Sequence, residues 1–376
     1  MNNGLTTFRA FAFFAVFLFH IDKLGAGYLG VQAFFVLSGF LLTPILLEMK
    51  AGLGTKDFFL HFYGRRALRI FPLYYFYLGL VALLSAFVFA RLGFYSTADA
   101  DKFMAQLPWS ATFTYDFFHA SRYFERTLLV THFWSLAIEE QFYLVWPLAI
   151  FCLPQKHFKT FLILVCAGGL LLRALLAFIS LNHLAPMLHN ETDLVIYVLP
   201  FSHIDAFAIG GFFALYARSR SSLTVWLAIF MVAAIGMAAS WLTNSSIRWS
   251  DLGYPSFMKD SYKFIWGYSL VNLLFAYILV CVRDKKFLPA IFENSVLNYL
   301  GKISYGMYVF HFPVIWLIDV APVFGGMPEY ALILLALAIT IALSIISYEL
   351  MEKRLLSLKD KYFSRARQPV NAHKNS

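Results

Sequence analysis

The chain has few charged residues and few cysteines for its length. Asp, Glu, Lys and Arg make up 14% of the 376 residues, and the three cysteines all fall within apolar runs. A soluble domain carries about 25% charged residues, so the composition argues against that class. Three scattered cysteines provide neither a disulfide framework nor a zinc site. The sequence also has no Gly-rich phosphate loop, and we expect no metal and no permanently bound cofactor.

Apolar residues dominate the chain instead. Hydrophobic residues make up 60% of it, and they recur in runs of about 20 residues, the length that crosses a bilayer. No signal-cleavage site follows the first run, so we expect this run to stay as a membrane anchor. The predicted fold class is an all-α integral membrane protein, a bundle of about ten transmembrane helices. The predicted spans are residues 5–22, 28–47, 71–90, 133–153, 160–181, 199–217, 224–242, 263–282, 303–321 and 330–349.

Basic residues gather in alternate loops between these spans. Lys and Arg are frequent at 50–69, 156–159, 218–220, 283–302 and 353–367, and they are sparse in the intervening loops. Because positive charge marks the cytoplasmic side, both termini are predicted to be cytoplasmic. The net charge of +9 then has a topological origin, and we expect no nucleic-acid partner.

Residues 103–119 interrupt the series of spans. This segment is aromatic, but it contains Pro108 and Asp116. Because backbone at membrane depth has to be buried in protein, we predict a re-entrant or interfacial segment in a long outer loop. We expect a single membrane domain over residues 1–354 and a short basic cytoplasmic tail over residues 355–376.

Arg9 and His20 both lie in the first apolar run. Eleven positions are about three helical turns, so both side chains project from one face, about 16 Å apart along the helix axis. An Arg at membrane depth costs at least a few kcal/mol and is a functional hypothesis by default. We therefore expect this face of the helix to look into a polar cavity.

Seven motifs along the chain point together to a family. They are Phe8–Ala10 with His20, Gly30–Leu41, Phe62–Tyr74, Trp134–Pro147, Ile204–Gly210, Ile303–Pro313 and Tyr348–Arg354. The stretch Glu-Glu-Gln-Phe-Tyr inside the fourth motif is the most specific of them. In these motifs and in their order, the chain resembles the acyltransferase type 3 family, membrane-bound enzymes that O-acetylate or otherwise O-acylate extracellular glycans.

The resemblance implies an acyl-coenzyme A donor on the cytoplasmic side and an acceptor hydroxyl handled at the outer side or within the bundle. Coenzyme A carries several phosphate charges, which Arg binds through bidentate contacts. Arg65, Arg66 and Arg69 precede a predicted span, with Arg65 and Arg69 on one helical face. We predict that these residues and Arg9 bind the donor. The alternative is that they are ordinary arginines of the cytoplasmic interface.

His20 is the predicted general base. O-acylation needs a group that removes the hydroxyl proton as the oxygen attacks the thioester, and neutral histidine is available near pH 7. We expect Asp22 or a nearby glutamate to hold the tautomer of His20 and to stabilise its imidazolium. A covalent acyl-His intermediate is one alternative. In a purely structural role, His20 would cap the helix end at the interface.

Glu139 and Glu140 are adjacent, and adjacent helical side chains diverge by about 100°. We therefore expect only one of them to face the site, and we favour Glu140. The other glutamate is expected to pair with an arginine such as Arg173. A buried ion pair that holds the bundle together is an equally open role for both glutamates.

The remaining candidates lie in later motifs and in the second span. Asp205 matches an aspartate of the family, but His203 stands where the family has its partner arginine, so we expect the ion pair to be lost or pH-dependent. His311, beside Tyr308, is expected to be a hydrogen-bonded structural histidine. Ser38 and the glycine after it are expected to allow close helix packing.

The predicted function is transfer of an acyl group, with acetyl as first choice, from cytoplasmic acyl-coenzyme A to a hydroxyl of a glycan or glycolipid of the cell envelope, such as a polysaccharide or lipopolysaccharide. The resemblance places it in a bacterial inner membrane, with or without a separate periplasmic partner. A transporter or channel for an acyl donor, lipid or polar solute is the alternative, since buried ionisable groups also suit transport. Acylation of a lipid, antibiotic or peptide is a third hypothesis.

Overall fold

A computed structural model describes residues 3–89, 96–245 and 249–363. These residues form helices, and the β-type contact recorded among them is an isolated bridge between Ser121 and Leu188. The last part of the predicted tail, 364–376, lies outside the described residues. The α-helices are α1 (Asn3–His20), α2 (Leu29–Gly52), α3 (Thr55–Leu84), α4 (Thr97–Ala111), α5 (Tyr115–His119), α6 (Phe133–Cys152), α7 (Phe158–Leu181), α8 (Thr192–Val198), α9 (Ile204–Tyr216), α10 (Ser222–Asn244), α11 (Lys263–Arg283), α12 (Pro289–Phe292), α13 (Ser295–Val320), α14 (Glu329–Ser347) and α15 (Lys353–Tyr362).

The described part of the structure contains fewer candidate membrane spans than the ten that the sequence predicts. Among the described residues, seven helices are long and apolar enough to cross a membrane, and an eighth span results if α8 and α9, bent by 71°, are counted as one. The all-helical membrane class is confirmed, whereas the count of ten is not. The two predicted spans outside this set are α1 and α6. They fall short because Arg9, His20 and the polar stretch 139–141 lower their hydropathy.

Two helices form the centre of the bundle. α2 and α13 are mostly buried, whereas α7, α10 and α14 leave most of their surface exposed, as helices that face lipid do. α2 packs closely on α9 because both carry glycine at the contact. A Cβ at Gly39 would lie 2.0 Å from the carbonyl oxygen of Phe207, and one at Gly210 would lie 2.1 Å from that of Val36. Small residues let helix backbones approach in this way, and Gly39 has the packing role that the sequence suggested.

The bundle has two ends, which we name by their contacts. At the terminal end, the side-chain amide of Asn298 donates to the carbonyl oxygen of Asn3 at 2.9 Å, so α1 and α13 begin side by side. At the opposite, distal end, α1 finishes where α14 begins, and Lys23 pairs with Glu329 at 2.7 Å. The N-terminus of the described chain therefore lies at the terminal end, and His20 lies toward the distal end.

The segment 103–119 falls in α4 and α5, and neither helix is a candidate span. A turn with a left-handed residue, Phe113 (φ 53°), joins the two helices. Asp116 is fully buried at the start of α5, where the side-chain amide of Gln141 donates to its carboxylate at 2.9 Å. Burial raises the pKa of the Asp116 carboxyl to about 7. This contact attaches the segment to the middle of α6.

Candidate active site

A narrow cavity lined by arginines lies among α1, α2, α3, α6 and α13. Its volume is about 80 Å³. We call it the basic cavity because three guanidinium groups and two carboxylates line it. Its polar lining residues are Arg9, Ser38, Arg66, Arg69, Ser135, Glu139, Glu140, Tyr143, Ser304, Tyr305 and Tyr308.

Both glutamates of α6 line the basic cavity, so the expectation that only one could face a shared cavity is wrong. The cavity extends around this part of α6 and reaches two neighbouring side-chain positions. Glu139 accepts short hydrogen bonds from the hydroxyl groups of Ser38 and Tyr143. The ring centroid of Tyr143 lies 4.7 Å from the guanidinium carbon of Arg66. The predicted pairing of a glutamate with Arg173 is therefore also wrong, and Ser38 belongs to a polar cluster of the cavity.

Arg65 does not line the basic cavity. Its Nη1 donates to the carbonyl oxygen of Phe363 at 2.7 Å, which ties α3 to the residue after α15. The predicted pair of Arg65 and Arg69 is therefore replaced by Arg66 and Arg69, three positions apart on α3, together with Arg9 of α1. Either spacing puts two side chains on one helical face, so the spacing alone does not tell which of the two pairs lines the cavity.

A second cavity, of about 350 Å³, lies toward the distal end. We call it the histidine cavity. Beside it, a wider space of about 550 Å³ opens between α13 and α14, and we call this the lateral cavity. His20, Asp22, Arg126 and Phe312 line both of them. The histidine cavity is further lined by Val16, Phe19, Tyr28, Val31, His119, Phe124, Thr131, His132, Trp134, Leu194, Tyr197, Val198, Phe257 and Tyr308.

The ring of His20 contacts another histidine. Nδ1 of His20 lies 2.9 Å from Nε2 of His311, and Nδ1 of the fully buried His311 lies 2.7 Å from the carbonyl oxygen of Tyr308. The sequence led us to expect a carboxylate, from Asp22 or a glutamate, at this position next to His20. That expectation is wrong. Asp22 is exposed in a left-handed conformation (φ 57°) after α1, although it lines the same cavities.

His132 is a functional candidate that the sequence analysis missed. It lies directly before α6, its Nε2 donates to the carbonyl oxygen of Val309 at 3.2 Å, and its ring centroid lies 5.3 Å from that of His311. The Val309 carbonyl is available because Pro313, four positions later in α13, has no N–H to donate. This proline was the one signal in the sequence that a polar partner approaches α13 here.

The basic cavity and the histidine cavity adjoin. Val31 and Tyr308 line both of them, and the hydroxyl group of Tyr308 lies 2.5 Å from that of Ser135. Arg9 lines the first cavity and His20 the second. The prediction that both residues look into one cavity is therefore wrong, although the two cavities share a wall.

Arg173 and Asp205 form a fully buried ion pair away from the three cavities. Both Nη atoms of Arg173 donate to the Asp205 carboxylate at 2.9 Å. The expectation that the pair is lost, or depends on His203, is wrong because α7 supplies the arginine. The His203 ring instead contacts the side-chain amide of Gln32 (2.9 Å) and the carbonyl oxygen of Tyr197 (2.8 Å).

The arrangement can bind an anion in one cavity and move a proton in the next. Guanidinium groups hold phosphate, and a histidine that lines a cavity can accept and return a proton. Within the described parts of the chain, no three His, Cys, Asp or Glu side chains are grouped as ligands for a metal ion.

Comparison with known proteins assigns the family. A family model described as an acyltransferase domain matches residues 2–349. O-acetyltransferase OatA of Staphylococcus aureus, from strains NCTC 8325 and COL, is 27% identical over 362 residues, which cover 93% of this chain and 56% of OatA. The chain thus matches little more than half the length of these relatives. No solved structure matches it significantly. Because the family match includes both adjoining cavities and nearly every helix, the chain belongs to the acyltransferase type 3 family.

Proposed function

We propose that the protein transfers an acyl group, acetyl in the first instance, from acyl-coenzyme A to a hydroxyl of a cell-envelope or exported glycan or glycolipid. The observation that carries the proposal is the adjoining pair of cavities, one lined by three arginines and the other by His20 and aromatic rings. The name of the relatives, O-acetyltransferase, favours oxygen as the acceptor atom. Acyl-coenzyme A is a substrate in this scheme and not a resident cofactor.

The basic cavity is the proposed donor site. Arg9, Arg66 and Arg69 offer planar, permanently charged groups to the phosphates of coenzyme A. Arg9 and His20 are eleven residues apart on α1, which is about 16 Å along the axis. The extended pantetheine arm of coenzyme A can cover that distance. It would carry the thioester past Tyr308 and into the histidine cavity.

His20 is the proposed general base. The acceptor hydroxyl oxygen attacks the thioester carbonyl carbon while His20 takes the hydroxyl proton. The tetrahedral intermediate then collapses with cleavage of the C–S bond, and the leaving thiolate takes the proton from His20. The products are the acyl ester and free coenzyme A, and His20 returns to its neutral form. Arg126, whose guanidinium carbon lies 5.6 Å from the ring centroid of Phe312, is the proposed partner of the oxyanion.

The histidine cavity is the proposed acceptor site. Trp134, Tyr197 and Phe257 form an aromatic wall. The ring centroid of Tyr197 lies 4.5 Å from that of Trp134 and 4.8 Å from that of Phe257. Flat rings beside polar groups suit a sugar. We place the terminal end in the cytoplasm, because the basic loops lie there, and the distal end outside a bacterial cytoplasmic membrane. The acyl group either reaches its glycan in this cavity or passes to a separate extracytoplasmic partner.

The test uses purified protein in lipid vesicles with radiolabelled acetyl-coenzyme A. Arg66→Ala and Arg69→Ala are expected to weaken donor binding at least about tenfold, and the loss is expected to shrink at high salt because screening already weakens these contacts. Arg65→Ala is the matched control, because Arg65 lies on the same helix but binds a backbone carbonyl outside the cavity. His20→Gln is expected to lower turnover about 10²- to 10⁴-fold, the usual contribution of a general base, with donor affinity unchanged.

Two results would count against the scheme. A fully active His20→Gln variant would contradict the role of His20 as the general base. Equal donor affinity in the Arg65, Arg66 and Arg69 variants would contradict the proposed donor site. Uptake of intact labelled donor into the vesicles without release of coenzyme A would favour the transporter instead. The folded state of each variant is checked by its elution as a monodisperse species in detergent.

A further inference from the structure

A chain of three hydrogen-bonding groups ends at His20. It begins at the backbone carbonyl of Tyr308, which lies 2.7 Å from Nδ1 of His311. It continues from Nε2 of His311 to Nδ1 of His20 at 2.9 Å. His311 is fully buried, so its ring has no water to replace either contact. Nε2 of His20 is then the nitrogen that remains for a substrate.

The carbonyl at the start of this hydrogen-bond chain determines which nitrogen of each histidine ring carries the hydrogen. A carbonyl oxygen only accepts hydrogen bonds, so Nδ1 of His311 has to carry a hydrogen. In a neutral imidazole the second nitrogen is then an acceptor, and Nε2 of His311 has to receive its bond from His20. Nδ1 of His20 is therefore protonated. The lone pair of neutral His20 is left on Nε2, where a base needs it.

We propose that His311 is a positioning residue that holds His20 in the Nδ1–H tautomer and fixes the plane of its ring. The inference rests on the proposed function in one respect, namely that His20 is the base. It assigns His311 a place that a carboxylate takes in many hydrolases, where the third group orients the catalytic histidine. His311 does not touch the substrate in this scheme.

A neutral orienting group has a chemical consequence. A carboxylate would stabilise the imidazolium of His20 by its charge, whereas neutral His311 only accepts a hydrogen bond from it. The imidazolium therefore forms transiently and returns its proton readily to the leaving thiolate. The ring of His132, anchored on the Val309 carbonyl, packs against His311 with centroids 5.3 Å apart and limits its rotation.

Two substitutions at one position separate positioning from packing. His311→Gln keeps an acceptor oxygen within reach of His20, whereas His311→Leu fills the space with an apolar side chain. We expect turnover to fall about 100-fold in His311→Leu and to stay within about tenfold of wild type in His311→Gln, inside the range that a general base contributes. The KM for the donor should stay unchanged in both. The other titratable groups that line the cavities at His20, which both variants keep, are Asp22, Tyr28, His119, Arg126, His132, Tyr197, Tyr308, Asp319 and Glu329.

The tautomer itself is measured by solid-state ¹⁵N NMR on histidine-labelled protein in lipid. Signals that disappear in His20→Gln belong to His20, and at neutral pH they should show a protonated Nδ1 and an unprotonated Nε2. In His311→Leu the His20 signals should shift toward the opposite tautomer, and the pH profile of turnover should change with them. His311→Gln should restore the wild-type pattern.

The outcomes distinguish this inference from the function on which it rests. An Nε2–H tautomer of His20 in the wild type, or wild-type turnover and pH profile in His311→Leu, overturns the role of His311 even if His20→Gln is inactive. Wild-type activity in His20→Gln overturns the proposed base, while the NMR result still tests the hydrogen-bond chain. Equal loss of turnover in the Gln and Leu variants, with unchanged NMR signals of His20, means that His311 only packs.

Discussion

Arg173 is the residue whose loss should destabilise the bundle most clearly. A guanidinium group has five N–H donors, and here all five have acceptors. Nε donates to the carbonyl of Ile265 (2.7 Å), one Nη to the carbonyl of Ser202 (2.5 Å), two N–H groups to the carboxylate of Asp205, and the last to the hydroxyl of Ser269. One side chain thus connects three helices and the turn that precedes α9.

Arg173→Met keeps a long unbranched side chain but removes the charge. The Asp205 carboxylate then stays buried with the Ser269 hydroxyl and loses two charge-assisted hydrogen bonds of about 1.5–3 kcal/mol each. This sum agrees with the roughly 3–5 kcal/mol measured when one partner of a buried pair is removed. Adding Asp205→Asn removes the uncompensated charge, so the double variant should recover about 2 kcal/mol.

The assay is thermal unfolding of detergent-purified protein, followed by tryptophan fluorescence and by retention of the monodisperse peak. Lys285→Ala is the control, because its ion pair with Glu293 is largely exposed, with 62% and 27% of the two side chains accessible. Such pairs contribute about 1 kcal/mol or less. An unfolding free energy of Arg173→Met within about 1 kcal/mol of the wild-type value would contradict this role of Arg173. A double variant that is less stable than the single variant would contradict it as well.

Three further predictions concern the fold. The pKa of the Asp116 carboxyl is raised to about 7, so its contribution to stability is present below its unfolded pKa of about 4 and is lost as the pH rises through 7. Between pH 5 and pH 8, the unfolding free energy of Asp116→Asn should therefore rise by roughly 3 kcal/mol relative to that of wild type. A difference that does not depend on pH in thermal unfolding would contradict this. Gly39→Ala should lower the unfolding temperature by several degrees, since its Cβ would meet a backbone oxygen at 2.0 Å. Gly79→Ala is the control and should leave the unfolding temperature unchanged, because a Cβ there meets open space. Equal effects of the two variants would show that close packing of α2 is not required. In a cysteine-free background, Leu252→Cys should react with an impermeant thiol reagent outside intact cells and Ile291→Cys should not, and the reverse pattern would invert the topology.

The helices were predictable because their cause is local. Long apolar runs form helices in a membrane whatever they pack against, and each of the ten predicted spans overlaps a helix of the structure, although their bounds differ. The residues of the candidate site were also largely named by the sequence, since ionisable groups in apolar runs stand out. Their partners were not predictable in the same way. Helical periodicity gives the direction of a side chain around the axis of its helix. Tertiary packing determines which neighbouring helix lies in that direction.

Two particular errors and one omission show where local sequence patterns stop being informative. The inclusion of Arg65 with Arg9, Arg66 and Arg69 failed because Arg65 contacts the carbonyl oxygen of Phe363, 298 positions further along the chain, and no local pattern reveals that contact. The choice between the two glutamates failed because the width of the cavity, and not the divergence of adjacent side chains, decides how many positions line it. His132 was missed because it precedes its predicted span and has no periodic pattern.

The hydrogen that Pro313 lacks has a consequence for engineering. Replacing a proline inside a helix with alanine is a common way to stabilise a protein, since it restores a backbone hydrogen bond. Here the restored N–H would claim the carbonyl of Val309 and compete with His132 for it. A substitution that looks favourable for α13 alone would loosen the side chain of His132, which directly precedes α6 and lies next to the histidine pair. The hydrogen that residue 313 lacks therefore leaves the Val309 carbonyl open to His132, whose ring packs against His311.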